Sequence, residues 1–114
     1  MGDWKWKPEQ VLSLLRNLSV QLGVSLVVLS GLHASLRDRD DPAPLLQDLR
    51  PAGIFERYAE NILLVYRKEV YDKGDPSLAG KIELRLAKSE HGRNRRVFLR
   101  FNKDTGVFSL SHPA

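Results

Sequence analysis

Three observations predict an α/β fold. The chain opens with a one-faced amphipathic helix, continues through two short apolar runs that do not alternate, and ends in segments where apolar and polar residues do alternate. Continuous apolar runs are the pattern of strands covered on both faces in a parallel sheet, whereas strict alternation marks antiparallel strands with one wet face. The expected architecture is a sheet of two parallel core strands followed by an antiparallel β-meander, with helices on the faces.

The first helix is bounded by its own residues. Pro8 suits the first helical position, where a missing N–H costs nothing, and Gly23 suits the left-handed position just past a helix end. Between them Val11, Leu15, Leu18 and Leu22 recur on one face, and Leu14 widens the stripe. Val24 to Leu29 then forms the first expected parallel strand, and Asn61 to Tyr66 the second. The polar stretch from Ser30 to Pro44 reads as a long surface loop. Leu45 to Glu60 is helix-compatible after Pro51, and Arg67 to Gly80 is a second loop punctuated by Gly74-Asp75-Pro76.

From Lys81 the period changes to two. Ile82, Leu84 and Leu86 lie opposite Glu83 and Arg85, and Val97, Leu99 and Phe101 lie opposite Arg96, Phe98 and Arg100. The segments Ser89 to Asn94 and Asn102 to Gly106 are hairpin connections, the second leading to a strand from Val107 to Leu110.

A length of 114 residues fits one domain, expected to occupy residues 1–114. The absence of cysteine excludes a disulfide scaffold, thiolate chemistry and zinc sites built on sulfur. The longest apolar runs, Leu26 to Leu29 and Ile62 to Tyr66, are far short of the ~20 residues of a membrane helix, and the start lacks a signal peptide's apolar stretch. A soluble cytoplasmic protein with no membrane partner is expected.

The net charge of +4 is unevenly placed: Lys81 to Lys103 carries eight basic and two acidic residues, a net +6, on a body that is faintly acidic. Such an end suits a polyanion, and a solvated strand face would have the same composition. No G-x-x-x-x-G-K-[ST], G-x-S-x-G or H-E-x-x-H occurs, so no catalytic residue is assigned and no cofactor is expected. His33, His91 and His112 lack ligand spacing, and Asp38, Asp40 and Asp41 are neutralised by Arg37 and Arg39, so no metal site is assigned either.

The most specific feature is the segment from Asp48 to Glu60, DLRPAGIFERYAE, which resembles the D-L-R-x-x-G-x-I-E-x-x-A-D stretch of the DnaB-type replicative DNA helicases. Leu29-Ser30-Gly31-Leu32 is similar to that family's L-S-Q-L, Ile62 to Tyr71 to its V-V-L-F-I-Y-R-D-E-Y-Y, and Ala87 to Gly92 to its A-K-Q-R-N-G. The resemblance runs from about residue 8 to residue 110. It implies a truncated RecA-like sheet of the P-loop NTPase type, holding only the part of the ATPase domain that follows the Walker A and Walker B regions.

Carried over by position, the resemblance implies that Arg50 and Gly53 belong to a loop contacting single-stranded DNA, and that Lys88 reaches the γ-phosphate of a nucleotide held by a neighbouring subunit. Three departures weaken the catalytic reading. Glu90 stands where the family has its arginine finger, Gly31 replaces the glutamine that senses γ-phosphate, and Pro51 replaces the glutamate beside Arg50. Arg93, Arg95 and Arg96 join the candidate nucleic-acid contacts on charge alone. Plainer readings stand beside these: Arg50 pairing with Asp48 or Glu56, Lys88 and Arg93 solvating a hairpin, and Trp4 or Trp6 packing on the domain edge instead of stacking on bases.

The expectation is a DnaB-like chain without autonomous ATPase activity that binds single-stranded DNA or a replication protein, forming a homodimer or docking through an exposed sheet edge beside Val24 to Leu29. The alternatives are a regulatory or structural subunit mimicking one face of a helicase protomer, and a fragment of a complete ATP-dependent helicase.

Overall fold

The computed structural model describes residues 7–32, 39–49 and 53–111. Helix α1 spans Pro8–Leu22. It starts with Pro8 in its first turn and ends at Gly23, whose φ of 64° lets the Val24 N–H return to the Ser19 carbonyl. Its polar face is tied down: the Glu9 carboxylate accepts from Arg57 Nη1 at 2.7 Å and from the Tyr58 hydroxyl at 3.0 Å. The apolar stripe stays largely open, with Leu14 half exposed and Leu22 more so.

A 3₁₀ turn at Leu46–Asp48 and the short helix α2, Ile54–Tyr58, follow. The helix expected within Leu45 to Glu60 therefore exists only in part. Strands β1 (Ile62–Tyr66), β2 (Lys81–Lys88), β3 (Arg95–Asn102) and β4 (Val107–Ser111) form one sheet in the order β1-β2-β3-β4. Every pairing is antiparallel. The loop between β1 and β2 contains 3₁₀ turns at Lys68–Val70 and Pro76–Leu78.

The meander expectation is met, and the parallel core is corrected. The strand β1 lies antiparallel to β2, and its burial alternates, with Ile62, Leu64 and Tyr66 covered and Leu63 and Val65 open. Val24 to Leu29 forms no helix and joins no strand among the described residues, and Leu29 is 93% exposed. A continuous apolar run tells how much burial a segment seeks, and it carries no information on which neighbour supplies it.

Register divides the sheet into two unlike faces. Leu64, Arg85 and Arg96 form one cross-strand row, and Tyr66, Glu83, Phe98 and Ser111 form the next, on the face we term inner. The outer rows are Leu63-Leu86-Arg95, Val65-Leu84-Val97 and Ile82-Leu99-Leu110, apolar except at Arg95. Leu49, Ile62 and Leu64 make the buried cluster on the inner side, with Leu32, Leu46, Phe55, Ala59 and Ala87 packed against it. Full burial of such side chains stabilises by about 1.5–3 kcal/mol each, which is what holds Leu32, Leu46 and Phe55 onto the sheet. On the outer face Val65, Phe108 and Leu110 remain exposed.

Candidate nucleic-acid interface

The segment leading to the family's DNA-contacting loop is anchored by one ion pair. Arg39 Nη1 and Nη2 donate to the two carboxylate oxygens of Asp48 at 2.7 and 2.9 Å, and Nη2 also donates to the Ala43 carbonyl at 2.9 Å. Asp48 Oδ2 accepts the Leu45 N–H at 2.7 Å, so one carboxylate closes the turn and holds the guanidinium fork. The hydrogen bond from Arg39 to Asp48 raises the already high Arg39 pKa further. Sequence reading missed Arg39 because nothing in its spacing connects it to a residue nine positions on.

Arg50 lies outside the described residues, as do Pro51, Trp4 and Trp6. Gly53 is exposed and caps the start of α2 with φ of 83°, with nothing within 4 Å of where a Cβ would sit. The backbone there is open to a ligand, which suits the position implied for it.

Lys88 is placed by a register irregularity. Ile62 pairs with Lys88 while Leu63 pairs with Leu86, so one extra residue in β2 turns Lys88 toward the inner side. Its ammonium donates to the Ala59 carbonyl at 2.7 Å and to the Glu56 carbonyl. These are carbonyls at the C-terminal end of α2, where a cation complements both the open acceptors and the helix dipole. Lys88 therefore ties the helix after the DNA-loop position to β2. The reading of Lys88 as hairpin solvation is thereby corrected, and its family-implied approach to a neighbouring nucleotide has to share the ammonium with these two carbonyls.

The three arginines grouped by charge do not form one patch. Arg93 lies in the exposed β2–β3 connection. Arg95 sits in the outer row opposite Leu86, whereas Arg96 sits in the inner row opposite Arg85. Arg96 Nε approaches Glu83 Oε1 at 3.5 Å, and Arg85 Nε donates to Glu83 Oε2 at 3.0 Å. Arg85 also lies over the Tyr66 ring, 5.8 Å from its centroid. Burial pushes the Tyr66 phenol up from its ordinary value.

Glu90 stays exposed, its backbone N–H donating to Asn61 Oδ1 at 3.2 Å. Among the described residues no cluster of His, Cys, Asp or Glu is arranged to hold a metal ion, and no helix is long and apolar enough to cross a membrane.

The antiparallel meander, Lys88 at the end of β2 and the glycine-started helix α2 accord with what the Asp48 to Glu60 resemblance implies, and the comparison with known families gives the class. Residues 9–110 match the DnaB-like helicase C terminal domain. The chain belongs to that family.

Among its relatives, a probable plasmid replicative DNA helicase of Chlamydia psittaci is 38% identical over 100 residues, covering 88% of this chain and 21% of the relative. The replicative DNA helicase DnaB of Haemophilus influenzae is 38% identical over 95 residues, covering 83% of this chain and 19% of its own length. This chain thus spans about a fifth of the curated relatives it matches. Among solved structures, a DnaB-like replicative helicase described with its interactions with primase superimposes with a TM-score of 0.81 at 31% identity, over 94% of this chain and 27% of that one. An ATPase domain superimposes at 0.79 and 29% identity, over 97% of this chain and 40% of that one.

Proposed function

We propose that this chain is a DNA-replication module that binds single-stranded nucleic acid through the Arg50–Gly53 segment and the basic end of the meander, without hydrolysing ATP by itself. The observation that carries the reading is Gly53. In a member of the DnaB-like family it presents an open, left-handed backbone position next to the D-L-R residues, on a segment clamped by Arg39 and Asp48. Arg93, Arg95, Arg96 and Arg100 lie exposed nearby in sequence on β3 and its connection, and supply positive charge for phosphates. The 114 residues contain no phosphate loop, Glu90 occupies the finger position, and Gly31 has no side chain to sense a phosphate.

Fluorescence anisotropy with labelled single-stranded DNA tests the reading. Binding is expected at low salt, with log affinity falling as log salt rises, and Arg50→Ala with Arg95→Ala should reduce that slope by about 1.4, at roughly 0.7 per phosphate contact. No binding at low salt, or an unchanged slope in the double variant, sinks it.

A second reading is favoured by a different observation. The Val24 to Leu29 segment and the outer sheet face expose Val27, Leu29, Val65, Phe108 and Leu110. Exposed apolar surface of this kind suits association, so the chain also reads as a structural subunit presenting one face of a helicase protomer to another chain.

A further inference from the structure

On the inner face of the sheet, Arg85 and Arg96 stand directly opposite each other on adjacent strands. Like charges in that position destabilise a sheet. One carboxylate, Glu83, offsets them, holding Arg85 Nε at 3.0 Å and Arg96 Nε at 3.5 Å, so two positive charges share one negative charge. Both contacts use Nε, which leaves the outer fork of each guanidinium for a ligand.

Arg85 and Arg96 line a cavity of about 580 Å³ whose lining also includes Pro44, Leu46, Leu64, Ala87 and Asn94 and no carboxylate. That volume falls within the ordinary range for small-molecule sites. The chemistry is divided: apolar side chains and a guanidinium plane to cover a flat aromatic body, an amide able both to donate and to accept, and a paired fork for an anion. A carboxylate side chain would use the fork and leave the apolar part empty. A nucleoside phosphate uses all three.

We infer that this cavity is a nucleotide site, taking a base against Leu46, Leu64 and Ala87 and its phosphate on Arg85 and Arg96. The nucleotide is either free or one unit of a single strand. The site deepens the nucleic-acid reading above and rests on it only for the strand-borne source. It is separate from the Arg50–Gly53 segment.

The test is an amide-shift titration of the full chain with three probes: adenosine monophosphate, adenosine, and a six-nucleotide single-stranded DNA. The monophosphate is expected to shift the amides of Leu64, Arg85, Ala87 and Arg96, and adenosine to bind at least about tenfold more weakly, one charge-assisted contact's worth. Arg85→Gln with Arg96→Gln should weaken the monophosphate by at least about tenfold. Lys73→Gln, an exposed cation outside the cavity, should leave it unchanged. Leu46→Trp, which fills the cavity and removes no charge, should abolish the shifts, and retained meander amide positions in each variant show that the fold persists.

Shifts at these residues with the monophosphate alone assign the site to a free nucleotide, and shifts there with the oligonucleotide assign it to a strand. Should neither probe shift them, or should the double variant and Leu46→Trp bind as the parent does, the inference is overturned. Oligonucleotide binding that is lost on Arg50→Ala while the monophosphate shifts persist would separate this site from the one proposed above.

Discussion

At Gly80 the backbone has φ of 75°, and a Cβ there would lie 2.5 Å from the Phe101 carbonyl oxygen. The same residue accepts from the Phe101 N–H at 2.7 Å and donates to Glu69 Oε2 at 3.0 Å, so it cannot move aside cheaply. Arg67 first, and then the Gly80 N–H, hold the Glu69 carboxyl below its ordinary value, a further sign of how closely that loop is tied. Gly92 shares the φ of 75° with nothing within 4 Å. Substitution by alanine is therefore expected to cost about 1–2 kcal/mol at Gly92, from backbone strain alone, and at least ~1 kcal/mol more at Gly80, where an atom must be displaced. Urea denaturation of the two variants checks the difference. Single residues of this kind were partly legible in the sequence. Pro8 and Gly23 announced their positions because helix ends demand a particular backbone, whereas the demand on Gly80 comes from a strand twenty-one residues later and leaves no local mark.

Elements divide the same way. The meander was legible because alternation at period two is a direct image of a sheet with unlike faces. The two apolar runs were not: β1 found its neighbour in β2, and Val24 to Leu29 found none among the described residues. The Arg39–Asp48 tie was illegible too, yet it outweighs the Arg57–Glu9 pair. Its side chains are 29% and 10% exposed, against 64% and 48% for Arg57 and Glu9. Arg39→Ala is expected to cost about 2–4 kcal/mol, because it removes two charge-assisted hydrogen bonds from a mostly buried carboxylate, while Arg57→Ala should cost less than ~1 kcal/mol. With Asp48→Asn added, the loss should be well below the sum of the two single variants. A double-mutant cycle in urea measures both statements.

For the whole molecule, charge and apolar surface are separated. The inner face carries Arg85, Arg96 and the cavity, and the outer face carries Val65, Phe108 and Leu110 in the open, with Arg95 at its edge row. Association through apolar surface is expected to persist in salt, whereas nucleic-acid binding weakens with it. Light scattering coupled to size exclusion should show a species larger than a monomer at tens of micromolar, little changed by added salt. A clean monomer would count against the subunit reading and leave the nucleic-acid reading untouched. The family was legible from the Asp48 to Glu60 stretch, while the two-faced character emerged only when register assigned Arg95 and Arg96 to opposite sides.

The extra residue in β2 has a wider consequence. Because it places Ala87 and Lys88 on the same side of the sheet, the strand's side-chain alternation is out of step beyond Leu86. Regular pairing at unchanged length would carry Lys88 to the apolar outer side, undoing the link to α2 and leaving a charge among leucines. The irregularity in β2, and not residue identity alone, thus decides which face Lys88 takes.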